Sequence, residues 1–347
     1  KKVSVKTIPS LNEIASGKAT VSDIQDINIE ELLERKEVPP NQELLAKCVY
    51  RKKILVTGAG GSIGSEICRQ ILKSDPESIV LFEHSEHNLY QINAELSRIC
   101  LRSNIKTEII PILGSIINKD TLEETIKNFR IDTIYHAAAY KHVNLIENNV
   151  KEGIRNNIFG TYNVALAAYD LNIQNFILIS SDKAVHPTSI MGATKRIAEI
   201  IIQGLSNKKD SGLKYASAIK FTVVRFGNVL ASSGSVIPLF QRQISSGGPM
   251  TITHPKATRY FMTTSEASQL VIQAGSLGES GNIFALNMGK PISILSLAKK
   301  MIYLSGHVLK TDEATSNDST IEIQYTGLQR GEKIHEELFT GENTINT

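Results

Sequence analysis

The stretch KKILVTGAGGSIGSEICRQIL, residues 52–72, joins an apolar segment to an amphipathic one through three spaced glycines. Its pattern, TGxxGxxG, puts Gly58, Gly61 and Gly64 between a predicted strand and a predicted helix. Glycines permit a tight turn and a close approach of the backbone to a pyrophosphate, while the free N–H groups at a helix N-terminus attract negative charge. The stretch therefore predicts a dinucleotide-binding turn rather than a plain strand-to-helix connection.

Short apolar runs recur after this stretch and alternate with amphipathic helical patterns. Apolar strands that lack a two-residue alternation and are separated by helices indicate a parallel sheet covered on both faces. With right-handed crossovers, they predict an α/β fold with a Rossmann-like, doubly wound parallel sheet. The runs are SIVLFE (78–83), TEIIPIL (107–113), DTIYHAA (132–138), NFILISS (175–181) and KFTVVRF (220–226).

Three parts are expected along the chain. Residues 1–50 are polar, carry a helical pattern at 29–38 and are predicted to form an N-terminal arm or subdomain packed on the main body. Residues 51–226 are predicted to form the Rossmann domain. Residues 227–347 are richer in Gly, Pro and Ser, so a smaller C-terminal substrate-binding lobe is expected to close over the strand ends.

Composition limits the function classes. The 347 residues are 41% hydrophobic and 21% charged, and the net charge of +3 is too small and scattered to indicate a nucleic-acid partner. Cys48, Cys68 and Cys100 match no metal motif, so reduced thiols in a cytoplasmic protein and no metal are expected. No apolar run reaches about 18 residues. Because the chain begins at Lys1 rather than Met, a link to a membrane is expected only through a missing N-terminal region.

The second predicted strand ends at Glu83, 19 residues after Gly64. A carboxylate at this position can accept hydrogen bonds from both hydroxyls of the adenosine ribose and would repel a 2′-phosphate. The position therefore favours NAD over NADP as the cofactor. The alternative is a solvated acid at a strand end.

Motifs along most of the chain carry a family resemblance. They are LFEHSEHNLYQI (81–92), HAAAYKHVNLIE (136–147), NNIFGT (156–161), ISSDKAVHPTSIMGATKR (179–196), VRFGNVLASSGSVIPLF (224–240), THPKATRYFMT (253–263) and TGLQRGEK (326–333). Over roughly residues 50–340 the sequence resembles nucleotide-sugar dehydratases of the CapD-like polysaccharide-biosynthesis family, in the extended short-chain dehydrogenase/reductase superfamily. The N-terminal arm also looks related.

The resemblance implies an NAD-dependent UDP-N-acetylglucosamine 4,6-dehydratase that yields a UDP-linked 4-keto-6-deoxy amino sugar. Many full-length family members carry N-terminal membrane helices, which implies the cytoplasmic face of the inner membrane for a longer protein. Superfamily members often pair through a four-helix interface, so a homo-oligomer is expected. The exact sugar and the stereochemistry at C5 are left open.

The resemblance assigns the proton chemistry to Ser181, Asp182 and Lys183, which follow the fifth predicted strand. Doubly wound folds place their sites at such strand ends. Ser181 would hydrogen-bond the C4 oxygen of the sugar, Asp182 would protonate the departing C6 hydroxyl, and Lys183 would be the base at C5. These roles need a raised pKa for Asp182 and a lowered pKa for Lys183. A solvated Asp–Lys pair is the alternative.

The YxxxK pattern of the superfamily is altered in this chain, where Met191 stands at the tyrosine position and Lys195 follows four residues later. A thioether cannot take a proton. The membrane-associated CapD-like group also carries Met there, and Lys195 is implied to hydrogen-bond the nicotinamide ribose. The base for the C4 hydroxyl is left open among Asp182, Lys141 and a water held by Lys195.

The same resemblance implies the remaining contacts. A diphosphate calls for arginine forks, and Arg259 and Arg330 match phosphate-contacting positions, with plain surface arginines as the alternative. The implied substrate contacts are Asn157, Asn228, Pro238, Leu239, Arg259 and Arg330. The implied cofactor contacts are Gly58, Gly61, Ser62, Ile63, Gly64, Glu83, Ser115, Ile116, Ala137, Ala138 and Lys195.

Two other functions fit part of the sequence. A nucleotide-sugar 4-epimerase also uses bound NAD and a 4-keto intermediate, but it normally needs the tyrosine that Met191 replaces. A dinucleotide-dependent sensor that has lost catalysis is the second alternative. The retained Asp182, Lys183 and Lys195 count against a sensor.

Overall fold

The computed structural model describes residues 6–7, 25–26, 37–207, 219–230, 232, 234–310 and 320–339. Its centre is a parallel sheet of seven strands, in the spatial order β7-β6-β5-β4-β1-β2-β3. The strands are β1 (Lys53–Thr57), β2 (Ser78–Glu83), β3 (Glu108–Leu113), β4 (Thr133–His136), β5 (Asn175–Ile179), β6 (Lys220–Arg225) and β7 (Asn282–Ala285). The order reverses between β1 and β4, so the prediction of a doubly wound Rossmann-like sheet is confirmed.

Helices lie on both faces of this sheet and in the lobe that follows it. They are α1 (Gln42–Lys47), α2 (Ser62–Leu72), α3 (Glu86–Ser103), α4 (Lys119–Phe129), α5 (Val143–Asn148), α6 (Val150–Ile154), α7 (Thr161–Asp170), α8 (Ile190–Ser206), α9 (Val236–Ser245), α10 (Thr264–Ser276) and α11 (Ile294–Leu304). Ile54 and Val56 of β1 point into one apolar cluster, whereas Leu55 points into the other. Because both clusters are buried, the strand has no polar face and no two-residue alternation.

The chain after Phe226 divides differently from the prediction. Helix α10 packs on α2, and β7 pairs in parallel with β6, so residues 264–285 belong to the Rossmann layers rather than to the lobe. The lobe has its own apolar cluster, built largely from α9, α11 and short strands. The short strands pair as Asn228–Val229 with Phe261–Met262, Met250–Ile252 with Ile323–Tyr325, Thr258–Arg259 with Ile292–Ser293, and Val308–Leu309 with Thr320–Ile321.

Part of the predicted N-terminal arm is described. Strands Lys6–Thr7 and Gln25–Asp26 pair antiparallel. Helix α1 packs on α10, with Leu45 and Val49 buried in the cluster on that face of the sheet. Residues 37–50 therefore extend the core of the main body, whereas the helical pattern at 29–38 lies mostly outside the described residues.

Within the described ranges, every helix is too short or too polar to cross a membrane.

Candidate active site

The glycine turn between β1 and α2 is built for close backbone contacts. Gly58 has φ of +67°, and a Cβ on it would lie 2.8 Å from the Cα and N atoms of Ala138. A Cβ on Gly64 would overlap the carbonyl oxygen of Gly58. Gly61 supplies the N-cap of α2. The turn therefore packs directly against the loop after β4, and the N-terminal end of α2 faces the space above the strand ends.

A cleft lies above this turn. Its lining includes seven of the predicted cofactor residues, namely Gly58, Gly61, Glu83, Ser115, Ile116, Ala137 and Ala138. Ser62, Ile63 and Gly64 instead form the first turn of α2 and do not line the cleft. Sequence reasoning missed the other lining residues, which are Phe82, His84, Asn88, Gly114, Ala139, Tyr140 and Asn156. Most of them follow the ends of β2, β3 and β4, which is the signal that could have identified them.

Glu83 is buried and its carboxylate is bound by backbone N–H groups. Oε2 accepts a hydrogen bond from Gly60 N at 3.0 Å, and Oε1 accepts from His84 N at 2.9 Å and Ser85 N at 3.0 Å. Glu83 therefore ties the glycine turn to the end of β2 and also lines the cleft. Its contact with a ribose remains a prediction.

A buried histidine supports the turn from below. His136 Nδ1 lies 2.7 Å from the hydroxyl of Thr57, and Nε2 lies 2.9 Å from the hydroxyl of Thr161. Burial lowers the pKa of His136 to about 3, an effect to which Lys195 adds, so the ring is neutral. His136 therefore fixes the end of β1 next to Gly58.

Asn157 lies in a π-helical turn, Arg155–Gly160, between α6 and α7. Its Nδ2 donates to Tyr140 O and to the hydroxyl of Thr194, and its Oδ1 accepts from Tyr140 N and from Asn156 Nδ2. These four bonds use the whole amide. The predicted substrate contact of Asn157 is therefore not supported, because this side chain instead ties the loop after β4 to α8.

The predicted catalytic turn follows β5. The hydroxyl of Ser181 donates to Asp182 Oδ1 at 2.8 Å, and Lys183 Nζ donates to the same oxygen at 3.0 Å. Asp182 is fully buried, and its Oδ2 has no hydrogen-bond partner among the described residues. The hydroxyl and the carboxylate predicted to face the sugar are therefore bonded to each other, and Lys183 is the most exposed charged group of the turn.

The pKa of Lys183 shifts in the direction opposite to the prediction. Burial lowers the pKa of Lys183, but the carboxylates of Asp182 and Glu336 outweigh burial and raise it above the ordinary value. The Nζ atom lies 3.4 Å from Glu336 Oε1. A base at C5 was predicted to need a lowered pKa for Lys183. In this conformation the pKa is raised instead, so Lys183 is an ammonium.

Met191 and Lys195 lie on the buried face of α8. Lys195 Nζ donates to the carbonyl oxygen of Ile179, the last residue of β5, at 2.6 Å. Burial lowers the pKa of Lys195 to about 8, against the opposing effect of Glu199. A Cβ on Gly192 would overlap the carbonyl oxygen of Lys183, so the start of α8 lies directly against the catalytic turn.

An ion network that sequence reasoning missed lies behind this turn. Arg225 donates to both carboxylate oxygens of Glu199, at 2.7 and 2.6 Å, and the hydroxyl of Ser180 donates to Oε1 at 2.6 Å. Arg196 adds a bond of 2.9 Å. Glu199 thus joins the ends of β5 and β6 to α8 and fixes the residue before Ser181.

The two predicted phosphate arginines differ in availability. Arg259 is buried, donates to the carbonyls of Thr258 and Ile334, and pairs with Glu332 at 3.0 Å. The Arg330 side chain is 86% exposed, and its Nε lies 3.5 Å from Glu147. Most of the Arg259 fork is therefore already used inside the lobe, whereas the Arg330 fork is largely free for an anion.

The remaining predicted residues are spread around this edge. Asn228 adjoins Gly227, on which a Cβ would lie 3.0 Å from Asp182 Oδ2, so Asn228 lies next to the catalytic turn. Pro238 and Leu239 lie in α9 of the lobe. The Lys141 side chain is exposed, although partial burial lowers the pKa of its ammonium. The described residues contain no cluster of His, Cys, Asp and Glu that could hold a metal.

Comparison with known sequences agrees with the motifs. The family described as "Polysaccharide biosynthesis protein" matches residues 54–347. The capsular polysaccharide biosynthesis protein CapD of Staphylococcus aureus is 47% identical over 331 residues, which are 95% of this chain and 52% of that protein. The chain thus spans about half the length of this relative. A UDP-glucose 4-epimerase of Rickettsia rickettsii is 31% identical over 296 residues, which cover 84% of this chain and 78% of the epimerase.

Solved structures agree with the fold. Pen from Bacillus thuringiensis is 35% identical with a TM-score of 0.73, covering 84% of this chain and 85% of Pen. DesIV, a dTDP-glucose 4,6-dehydratase from Streptomyces venezuelae solved with NAD bound, is 17% identical with a TM-score of 0.66. That match covers 83% of this chain and 88% of DesIV. With a family match over most of its length and this identity to CapD, the chain belongs to the polysaccharide biosynthesis protein family.

Proposed function

We propose that the chain is a nucleotide-sugar 4,6-dehydratase that acts on UDP-N-acetylglucosamine with NAD. The observation that carries the proposal is the position of Lys183 and Lys195, which lie on adjoining segments at the carboxyl edge of the sheet. A dehydratase needs proton transfers at neighbouring sugar carbons, and two lysines with opposite pKa shifts suit that need. The biosynthetic role named for CapD favours the same class.

The cleft suits a dinucleotide. Gly58 and Gly64 allow the turn to pack tightly against the neighbouring backbone, and Gly58 and Gly61 line the cleft where α2 begins. A pyrophosphate would lie against the free N–H groups at this N-terminal end of α2. Glu83 at the end of β2 favours a free ribose over a 2′-phosphate, and thus NAD over NADP. When bound in this cleft, NAD would supply the reversible hydride chemistry that the sugar needs at C4 and C6.

Lys183 is the group best placed to move protons at C5 and C6. Asp182 is buried behind Lys183, so we infer that its carboxylate holds the Lys183 ammonium and does not contact the sugar. Once C4 is a ketone, the Lys183 ammonium would deliver a proton to the C6 hydroxyl, which leaves as water, and the amine so formed would take the C5 proton. The ammonium restored in this way would return a proton to C5 when hydride returns to C6. Lys183 would recover that proton from the one released by the C4 hydroxyl, through solvent, so the whole conversion balances.

Lys195 is the best candidate to receive the proton of the C4 hydroxyl, directly or through a water. Its pKa of about 8 leaves both the amine and the ammonium populated near neutral pH. Met191 cannot take this proton. Asp182 is excluded from the role by its burial, and Lys141 lies on an exposed loop.

The lobe would hold the UDP part. Arg330 offers an exposed guanidinium for the diphosphate, and Arg259 would hold the segment that carries Arg330 in place. Asn228 has an Oδ1 atom without a hydrogen-bond partner among the described residues, beside the catalytic turn, and could receive a sugar hydroxyl. Pro238 and Leu239 in α9 would line the uracil side.

Incubation of the chain with UDP-N-acetylglucosamine and NAD, followed by mass spectrometry, tests the proposal. A product that has lost one water supports a dehydratase. An unchanged mass with inverted C4 stereochemistry would establish a 4-epimerase instead, in line with the similarity to the Rickettsia enzyme. Unchanged substrate, with NAD bound, would favour a sensor.

The variant Lys183→Ala tests the assigned residue. It should bind UDP-N-acetylglucosamine normally but should lose water elimination and the exchange of the C5 proton with deuterated solvent. Lys256→Ala, which removes an exposed lysine of the lobe, is the matched control and should keep both. Wild-type C5 exchange in Lys183→Ala would show that another residue is the base.

A further inference from the structure

Lys183 is held between carboxylates from two distant parts of the chain. Its Nζ lies 3.0 Å from Asp182 Oδ1 and 3.4 Å from Glu336 Oε1. The side chains of Asp182 and Glu336 are 0% and 3% exposed, whereas that of Lys183 is 23% exposed. The two acids therefore lie behind the lysine, and the lysine alone of the three reaches the open edge of the site.

The segment around Glu336 is docked onto the catalytic turn at several points. Lys333 Nζ donates to the carbonyl oxygen of Val185 at 2.8 Å. Glu337 Oε2 lies 2.7 Å from His186 Nδ1. These contacts flank Glu336 on both sides, so its position opposite Lys183 is fixed by the fold of the segment rather than by a mobile side chain alone.

One carboxylate oxygen of Glu336 lacks a hydrogen-bond donor among the described residues. Its Oε2 is buried and has no hydrogen-bond partner among the described residues, as is the case for Asp182 Oδ2. Arg259 Nε lies 4.0 Å from Glu336 Oε1, beyond hydrogen-bonding distance. Removing Lys183 would leave two buried carboxylates without their close cation, a costly state. The lysine is therefore the ion around which this cluster is organised.

We propose that Glu336 is a positioning residue of the active site, whose carboxylate holds the Lys183 ammonium against Asp182. The inference rests on the proposed function for its catalytic meaning, but the contact itself can be measured without turnover. Asp182 and Glu336 raise the pKa of Lys183, whereas burial and the more distant Arg259 lower it. Deleting the Glu336 charge should therefore make Lys183 a free amine at lower pH.

The test is competitive labelling of the protein with acetic anhydride over a range of pH, with modification of Lys183 quantified by mass spectrometry. Only the free amine reacts, so the midpoint reports its protonation. Glu336→Gln should move the Lys183 midpoint down by about one pH unit or more, as expected for loss of an opposite charge within about 4–6 Å. Glu337→Gln is the matched control, since it removes a neighbouring charge that pairs with His186, and should leave the midpoint unchanged.

Glu336→Asp keeps the charge on a shorter side chain and should restore most of the wild-type midpoint, which separates loss of charge from misfolding. Equal midpoints in wild type and Glu336→Gln would overturn the inference, as would equal shifts in Glu336→Gln and Glu337→Gln. Failure of the proposed function would appear separately, as absence of water loss in the wild-type chain. If that function holds, the rise of C5 exchange with increasing pH should move to lower pH in Glu336→Gln by the same amount as the labelling midpoint.

Discussion

Gly58 is the position at which one added methyl group tests the dinucleotide cleft most directly. An alanine there must keep φ near +67°, which costs an L-residue about 1–2 kcal/mol. Its Cβ would also lie 2.8 Å from two backbone atoms of Ala138, so one of the two loops must move. Overpacking of this kind costs about 1–3 kcal/mol. Gly58→Ala should therefore lower the free energy of unfolding by about 2–5 kcal/mol.

The same substitution should weaken dinucleotide binding. Displacement of the turn changes the gap between the N-terminal end of α2 and the loop after β4, where a pyrophosphate would lie. We expect the dissociation constant for NAD to rise at least about tenfold, equivalent to about 1.4 kcal/mol, in isothermal titration calorimetry. Urea unfolding with and without NAD gives both quantities on one preparation, because NAD should stabilise the variant less than the wild type.

Gly204→Ala is the matched control for this experiment. Gly204 is an exposed glycine of α8, and a Cβ there would meet no atom of the described residues within 4 Å. It should raise the free energy of unfolding by up to about 1 kcal/mol and leave NAD binding unchanged. If Gly58→Ala bound NAD as tightly as Gly204→Ala did, the glycine turn would not be the cradle that its geometry suggests.

Two further predictions concern buried charges. Burial lowers the pKa of Lys195 from 10.5 to about 8, so between these pH values the unfolded chain binds a proton that the folded chain does not. The wild type should therefore gain about 3 kcal/mol of stability relative to Lys195→Met as pH rises from 8 to 10.5. Parallel curves of unfolding free energy against pH, measured with urea, would exclude the lowered pKa. Glu199→Gln should cost about 3–5 kcal/mol, because it removes the only close carboxylate that the described residues offer the buried Arg225. Glu123→Gln, at a surface pair in α4, should change the free energy of unfolding by less than about 1 kcal/mol, and equal effects of the two substitutions would contradict a special role for Glu199.

The central sheet could be predicted because its information is local. Each of β1 to β5 is a short apolar run followed by a helical pattern, β6 is a further apolar run, and both faces of β1 are buried. The return of residues 264–285 to the sheet was not predicted. Strand β7 is only half buried and follows lobe segments, and its place beside β6 is decided by a long-range pairing that no local pattern specifies.

In the candidate site too, features set by local sequence were predicted and features set by long-range contacts were not. The glycine turn was identified because a positive φ and close backbone contacts require glycine at fixed spacing. The partners of charged side chains were not identified. Arg225 of β6 pairs with Glu199 of α8 across the fold. Glu336 reaches Lys183 from 153 residues away, so the direction of the Lys183 pKa shift was predicted wrongly. Likewise, the resemblance predicted a substrate contact for Asn157. Its side chain instead hydrogen-bonds Tyr140 and Thr194, and these bonds depend on a π-helical turn that sequence patterns do not reveal.

The two lysines of the site differ in pKa for physical reasons that suit the proposed chemistry. Burial lowers the pKa of Lys195 to about 8, so the free amine is accessible near neutral pH, even though the ammonium donates to the carbonyl oxygen of Ile179. Lys183 lies between two carboxylates, so its pKa rises and the ammonium predominates. Titratable groups whose surroundings move their pKa values apart mark the division between base and acid in an active site. On this argument Lys195 is the natural acceptor of the C4 hydroxyl proton, and Lys183 is the natural donor to the departing C6 hydroxyl. Lys183 can act as the base at C5 only after it has given this proton away, because Asp182 and Glu336 keep it protonated at rest.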